Sequence, residues 1–434
     1  MGFPDWMRVL NPNIGELVEI SELFSQRTSI AVGLTEEYKL NTCNLKITPH
    51  GLEKIVRITM RSGRIIDLAK NTSLLNVNDW CEVDKVRIGD YLAVPRVLPY
   101  FGEIELVKHK LILLAYMIGD GNCTSATLRF SNATDKIVEE FKSVVNMFGD
   151  AKVIQYECNQ DIDYNIVNGD NFPKTRYKNG VRVLLEETDL FGKNALKKTI
   201  PEFLFTLRRE NIALFLSRLF STDGWASSVY EIYDETKKNR HKRNYNAHIE
   251  IGYSSSSERL ARDLHHLLLR FGILSVLREK WVKYKDGRKL NYVVSIHGSS
   301  SVYKFLEIGI FGKEACLNKA VDVANKMRCF EDRIPKEIML EVEELRIENG
   351  IRPKDMIKNR EPNDRYRRQY SPQRNLVEFW GHLLGCQRLI NLGKSDLYWD
   401  KVQKIEELGV FKTYNLKTNN KYGCVVNDFI IKET

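Results

Sequence analysis

The eight cysteines of this 434-residue chain stand singly, and no two of them form a Cys-x-x-Cys pair. That scatter speaks against a zinc ribbon and against a disulfide scaffold, and it fits a reducing, intracellular setting. No apolar run reaches the length needed to span a bilayer. The opening residues Met-Gly-Phe-Pro-Asp-Trp lack the basic and apolar regions of a secretory leader, and Trp6 stands where a myristoylation signal needs Ser or Thr. A Gly-rich phosphate loop of the Walker type is also missing, so nucleotide hydrolysis is not expected. What the chain does contain is an apolar fraction of 43%, enough for real cores, and 66 basic against 57 acidic residues. The net charge of +9 permits a polyanionic partner without requiring one. The length suits roughly two to four domains.

Two stretches match position for position: Leu113-Leu114-Ala115-Tyr116-Met117-Ile118-Gly119-Asp120-Gly121 and Leu216-Ser217-Arg218-Leu219-Phe220-Ser221-Thr222-Asp223-Gly224. Each reads as an apolar helix that stops at Asp-Gly. Small residues fall four apart in both, Ala115 and Gly119 in one and Ser217 and Ser221 in the other, so each helix has a face on which backbones can approach closely. Such packing places Asp120 and Asp223 at adjacent helix C-termini, a seat for a hard divalent cation and a costly one to keep ionised without it. The likeness continues without a gap from Phe130 to Phe148-Gly149 against Tyr253 to Phe271-Gly272. It returns at Leu190-Phe191-Gly192-Lys193 against Ile310-Phe311-Gly312-Lys313. The middle of the chain is therefore an internal pseudo-repeat, about 104–200 and 207–325, ordered helix, strands, helix, strands, helix. Phe130, Tyr253, Phe148 and Phe271 are expected in its core. His265-His266 lie in an amphipathic stretch and are read as packing or surface residues rather than metal ligands.

On either side the pattern changes. Residues 1–100 read as short strands, over Tyr38 to Ile47, Ile55 to Arg61 and Arg64 to Ala69, with a hairpin turn at Ser62-Gly63. From 331 to 393 the chain is charged and helical: Pro335 opens a helix that stops at Asn349-Gly350, Pro353 opens a second, and Leu376 to Leu392 forms a third. Residues 394–434 return to strand pattern, which suggests one β domain interrupted by everything between. Two basic runs suit contact with phosphates and base edges. One holds Lys237, Lys238, Arg240, Lys242 and Arg243; the other runs from Arg365 to Arg374 and holds Arg365, Arg367 and Arg368.

The doubled acidic motif resembles the signature of LAGLIDADG homing endonucleases, and the flanks resemble an intein, most closely the inteins of replicative DNA helicases. Gly63-Arg64, Trp80, Gly89-Asp90 and Ala93-Val94-Pro95-Arg96 sit where the N-terminal Hint part has its blocks, and Asp396 to Val402 with Tyr414-Asn415-Leu416 is similar to the approach to the C-terminal block. The resemblance covers essentially the whole chain. It implies an α+β multi-domain protein: an all-β Hint domain interrupted by a pseudo-twofold αββαββα endonuclease (101–330) and a helical DNA-recognition segment (331–393). At the positions that splicing chemistry needs, the chain departs from the pattern. Met1 replaces the first nucleophile, Ala69 and Thr72 fall on the Thr-x-x-His block, Tyr422 takes a histidine position, and Lys432-Glu433 stand for the terminal His-Asn.

By that resemblance the chain is a free-standing endonuclease, started at Met1, that has lost splicing and kept DNA cleavage. It implies Asp120, Asp223, Gly119 and Thr222 as the metal set for Mg2+, with Mn2+ as a substitute. It also implies a basic residue at the floor of each site, for which Lys280 and Lys152 are the candidates. Its partner would be double-stranded DNA with a long asymmetric target in a helicase gene, cut on both strands by a monomer, and no membrane is involved. Two other readings stay open: a DNA-binding protein that does not cleave, such as a repressor or RNA maturase, and a residual intein that still breaks one peptide bond.

Overall fold

The computed structural model describes residues 2–25, 29–158, 161–174, 177–232, 245–284, 287–327, 332–357 and 370–432. It is a mixed α and β structure that divides into two compact units, residues 1–100 with 329–434, and residues 101–328. Among the described residues no helix is long and apolar enough to cross a membrane.

In the first unit the two ends of the chain build one β structure. Leu40–Met60 and Leu397–Thr418 are the long central strands, antiparallel along nearly their whole length. Phe3–Pro4 and Tyr91–Pro95 pair with the second of them, and Ser29–Leu34 and Ile65–Ala69 with the first. Cys424–Val426 pairs with Ser29–Leu34 and with Phe429–Lys432, which in turn pairs with Ser73–Leu75. One apolar cluster joins Phe3, Ile20, Ile58, Leu68 and Val94 from the N-terminal part to Val402, Leu416, Phe429 and Ile431 from the C-terminal part. Neither part could bury that surface alone.

Two sequence expectations change here. The separate strands 38–47 and 55–61 are one strand, because the 22-residue partner Leu397–Thr418 offers hydrogen bonds throughout. Pro49, which donates none, sits opposite Tyr414 beside a register shift at Thr413/Tyr414, where the ladder tolerates it. The single helix expected over Leu376 to Leu392 is two, Arg374–Leu384 and Gln387–Lys394, parted at Gly385 with φ of 67°. Ile338–Glu348 stops at Asn349 as its sequence predicts, whereas Pro353–Met356 is only a 3₁₀ turn. These helices are tied to the β unit: the Arg388 guanidinium donates to the carbonyls of Val77 and Asn78. Arg374, the last residue of the second basic run, faces inward, paired with Asp332 at 2.6 Å and bonded to Ser395 Oγ at 3.0 Å.

The second unit repeats itself. Its first half runs Lys108–Gly119 (helix), Gly121–Asn122, Leu128–Phe130, Asp135–Asn146 (helix), Ala151–Cys158, Asp161–Asn168 and Gly180–Glu187 (helix). The second runs Arg209–Ser221 (helix), Gly224–Ile232, Tyr245–Ser255, Glu258–Arg270 (helix), Val276–Tyr284, Gly287–Ile296 and the helices Ser299–Phe305 and Glu314–Ala324. Each half has a four-stranded antiparallel sheet with the same strand order, first, second, fourth, third. Leu111 to Ile118 are buried without a break, so this helix is enclosed on all sides. Phe130, Tyr253 and Phe271 are buried as expected, while Phe148 is half-buried with its ring edge-on to His109. His265 and His266 are buried, the first against Ser275 O and the second accepting from Arg270 Nε, so both are packing residues.

Candidate functional site

The two enclosed helices pack on each other and end at the two acids. On the small-residue face of the second helix, Ser221 is buried and donates its hydroxyl to Ser217 O within that helix. Gly119, from the small-residue face of the first, meets the equivalent position Thr222, where a Cβ on Gly119 would come within 2.1 Å of Thr222 Oγ1. Any side chain at 119 would push the helix ends apart. The glycines after the acids fold back over their own helices. A Cβ at 121 would lie 2.6 Å from Met117 O, and one at 224 would lie 2.4 Å from Phe220 O. Both turns then open a strand, pairing Gly121 with Phe130 and Gly224 with Tyr253.

Across this seam the halves are held by charge. Glu140 accepts two bonds from Arg218, at 2.7 and 2.9 Å, and one from the Tyr116 hydroxyl, and the Arg218 guanidinium lies 4.1 Å over the Phe311 ring. A bidentate, partly buried pair of this kind restricts orientation as well as adding attraction. It therefore fixes one acid-bearing helix against the other half.

Asp120 and Asp223 are thus brought together with dense protein around them. The Asp120 carboxyl is pushed up to about 6 by burial and then by the charge of Asp223, against which Asn132, Lys313 and Lys198 act. Asp223, although exposed as a whole residue, is also raised by the protein packed around its carboxyl, with Lys198 and Lys313 opposing. Two carboxylates that resist charging side by side form a site that a cation would relieve.

The cations already present are Lys198 and Lys313. Lys198 is 5% exposed, and its ammonium donates to Met117 O at 2.8 Å, Gly121 O at 2.6 Å and Gly119 O at 3.2 Å. Lys313 donates to Thr222 O at 2.8 Å and Gly224 O at 2.6 Å. Each lysine therefore sits on the carbonyls flanking one acid, where the helix C-terminus concentrates negative potential. Burial lowers the affinity of both for their protons.

Neither lysine was singled out from the sequence as the floor residue. Lys152 is instead ion-paired with Asp170, and Lys280 is an exposed residue of the strand Val276–Tyr284. Neither is among the charges acting on Asp120 or Asp223. The repeat alignment sets Lys193 against Lys313, but Lys193 pairs with Asp189 at 2.6 Å and Lys198 takes the equivalent place. Nothing in the local sequence marks Lys198, because the two lysines reach their carbonyls from segments that diverge after Gly192 and Gly312.

Among the described residues, no group of three or more acidic, histidine or cysteine side chains could hold a metal ion. The hard oxygens free for a cation here are the two carboxylates, because the carbonyls of Gly119 and Thr222, expected as further ligands, already accept from Lys198 and Lys313. That set suits Mg2+ or Mn2+ completed by water and phosphate oxygens. The basic residues Lys237, Lys238, Arg240, Lys242, Arg243, Arg365, Arg367 and Arg368 lie outside the described residues, as do Met1 and Glu433.

The remaining positions that the resemblance sets against splicing residues fall in the other unit. Ala69 N–H donates to Gly2 O at 2.9 Å and Thr72 N–H to Ala69 O at 3.1 Å, while Lys432 pairs in register with Ser73. These positions converge, yet what converges is an alanine methyl, a buried Thr72 hydroxyl without a partner and a lysine whose ammonium lies 5.5 Å over the Trp80 ring. Tyr422 donates its hydroxyl to Glu36 at 2.6 Å.

A family model of the LAGLIDADG-like domain matches residues 210–308, the second acidic half. Over 96% of its length the chain is 28% identical to the replicative DNA helicase DnaB of Rhodothermus marinus and 27% identical to that of Synechocystis sp.. It spans 44% and 48% of those proteins, a little under half. Among solved structures, a DnaB intein from Synechocystis is similar over 22% of this chain and 69% of its own, with 20% identity and a TM-score of 0.21. The homing endonuclease I-DmoI, in complex with DNA and Mn, is similar over 44% and 89%, with 13% identity and a TM-score of 0.25.

Proposed function

We propose that the chain is a site-specific homing endonuclease of intein ancestry that breaks both strands of DNA in a metal-dependent reaction and no longer splices. The observation that carries this reading is the pair Asp120 and Asp223 at touching helix ends, each flanked by carbonyls that hold a lysine. Asp120 and Asp223 would hold the divalent ions; Gly119 O and Thr222 O could join them only where Lys198 and Lys313 release those carbonyls. A bound Mg2+ or Mn2+ supplies a Lewis acid and lowers the pKa of water beside the scissile phosphate.

The chain's own groups do the rest. Glu140, Arg218 and Tyr116 hold the two acids in register, and Gly121 and Gly224 let the chain turn back tightly over each helix end, so that the strand after each acid starts beside it. Lys198 and Lys313, rather than Lys152 and Lys280, bring positive charge to where a phosphorane oxygen gains negative charge. The absence of an imidazole at 72 and of a side-chain amide at 433 removes the groups that would activate and release a peptide bond.

The test is to incubate the full chain and Mg2+ with a supercoiled plasmid carrying an uninterrupted helicase gene, beside Asp120→Asn and Asp223→Asn. Linear product from the unsubstituted protein alone is expected. Failure to cut any such junction, in Mg2+ or Mn2+, would overturn the reading and favour a DNA-binding protein without cleavage.

A further inference from the structure

The two halves are not equal where they meet their acids. In the first, Asn132 follows the strand Leu128–Phe130 and uses both ends of its amide. Its Oδ1 accepts from Thr134 N–H at 2.9 Å, just ahead of the helix Asp135–Asn146, and its Nδ2 donates to Asp120 Oδ2 at 2.7 Å. The two bonds define the amide's orientation, since turning it over would set oxygen against carboxylate and N–H against N–H. Equivalence with the second half follows from strand pairing, because Gly121 opposes Phe130 as Gly224 opposes Tyr253. Two residues beyond those partners stand Asn132 and Ser255.

Ser255 performs the first of Asn132's tasks. Its Oγ accepts from Ser257 N–H at 3.0 Å, the counterpart of the Asn132–Thr134 bond. It does not perform the second. A hydroxymethyl is one bond shorter than a carboxamide, and the influences on Asp223 are burial and the two lysines, with no hydrogen bond among them. One acid is thus tethered by a residue that also anchors a helix, and the other is not.

We propose that Asn132 is a positioning residue for Asp120 that makes the two cleavage half-sites unequal, so that the strand served by the Asp120 half is cut first and a nicked duplex accumulates. This rests on the endonuclease reading above. With Oδ2 held by the amide, Asp120 presents Oδ1 in one orientation toward a metal or phosphate. Asp223 must give up rotational freedom when it engages either. Groups that orient a metal-binding carboxylate typically contribute about 10- to 100-fold to affinity or rate.

The experiment uses Asn132→Ser, which keeps the turn bond that Ser255 makes in the other half and so spares the fold, and Ser255→Asn, which offers Asp223 a matching tether. Strand-specifically labelled duplex carrying the uninterrupted junction is followed in Mg2+, with Mn2+ binding to the DNA-free protein read in parallel by electron paramagnetic resonance. The unsubstituted protein should cut one strand first. Asn132→Ser should slow that cut about 10-fold and leave the second unchanged. Ser255→Asn should speed the opposite strand and shrink the nicked intermediate. Equal effects on both strands, or none, overturn the proposal. If no DNA is cut at all, the endonuclease reading falls while Mn2+ still decides this one: a single weakened class of site in Asn132→Ser supports it, and unchanged binding or no Mn2+ binding sinks it.

Discussion

Each unit brings together residues that the sequence singled out, but the groups it brings together differ. In the unit of residues 101–328, two carboxylates resist ionisation, a buried and a half-buried lysine cap the carbonyls beside them, and a glycine fits where no side chain could. Such an arrangement is expensive for a fold to hold and has no packing purpose. In the other unit, Ala69, Thr72 and Lys432 converge as an ordinary β junction in which only the Thr72 hydroxyl is unsatisfied. Convergence of the backbone is thus common to both, and what differs is whether costly polar groups stand at the meeting point.

The largest expected effect separates the units outright. Asp120→Asn or Asp223→Asn should reduce linear DNA product by about 1000-fold or more, the scale of removing an essential charged group, whereas Thr72→Val should leave cutting unchanged on the same plasmid assay. Next, Lys198→Met and Lys313→Met should each lower single-turnover cleavage by roughly 100-fold with little change in DNA affinity. Lys152→Met and Lys280→Met serve as the contrast, and loss of cutting in those would restore the earlier candidates. Third, cleavage should fall as pH drops through about 6, because Asp120 then takes up a proton; a flat profile between pH 5 and 8 would contradict that.

The smallest effects are on stability. Burial raises the native Asp120 carboxyl from 3.8 to about 6, so its contribution to stability is fully present below about 3.8, is lost as pH rises from there through about 6, and stays lost above that. Asp120→Asn should therefore stabilise the protein without added metal above pH 6 by about 1 to 3 kcal/mol, with no gain near pH 3.5, read by urea denaturation in EDTA. Thr72→Val, which removes an unpartnered buried hydroxyl, should add about 1 kcal/mol at any pH.

Periodicity and duplication made the acids legible. Two apolar helices ending in Asp-Gly, with gapless likeness downstream, already imply paired helix ends, since a repeated enclosed helix has few neighbours as suitable as its copy. The lysines were illegible for the opposite reason. Lys198 and Lys313 occupy non-equivalent positions in segments whose paths diverge, so the repeat matches Lys313 to Lys193, which pairs with Asp189, and gives no pointer to Lys198. Strand limits around Pro49 were misjudged because a proline looks like a break until its partner strand, more than 350 residues away, is seen to shift register beside it.

By itself, then, the amino-acid order determined the αββαββα repeat and the placement of Asp120 and Asp223 at helix ends, because each is written in local pattern or residue identity. Only the tertiary structure decided that Gly119 meets Thr222, that Lys198 and Lys313 are the cations facing the acids, and that Asn132 tethers one acid while Ser255 leaves the other free. Those outcomes depend on which side chains long-range packing brings within about 3 Å of one another, a distance that hydrogen bonds and ion pairs require and that spacing along the chain does not encode.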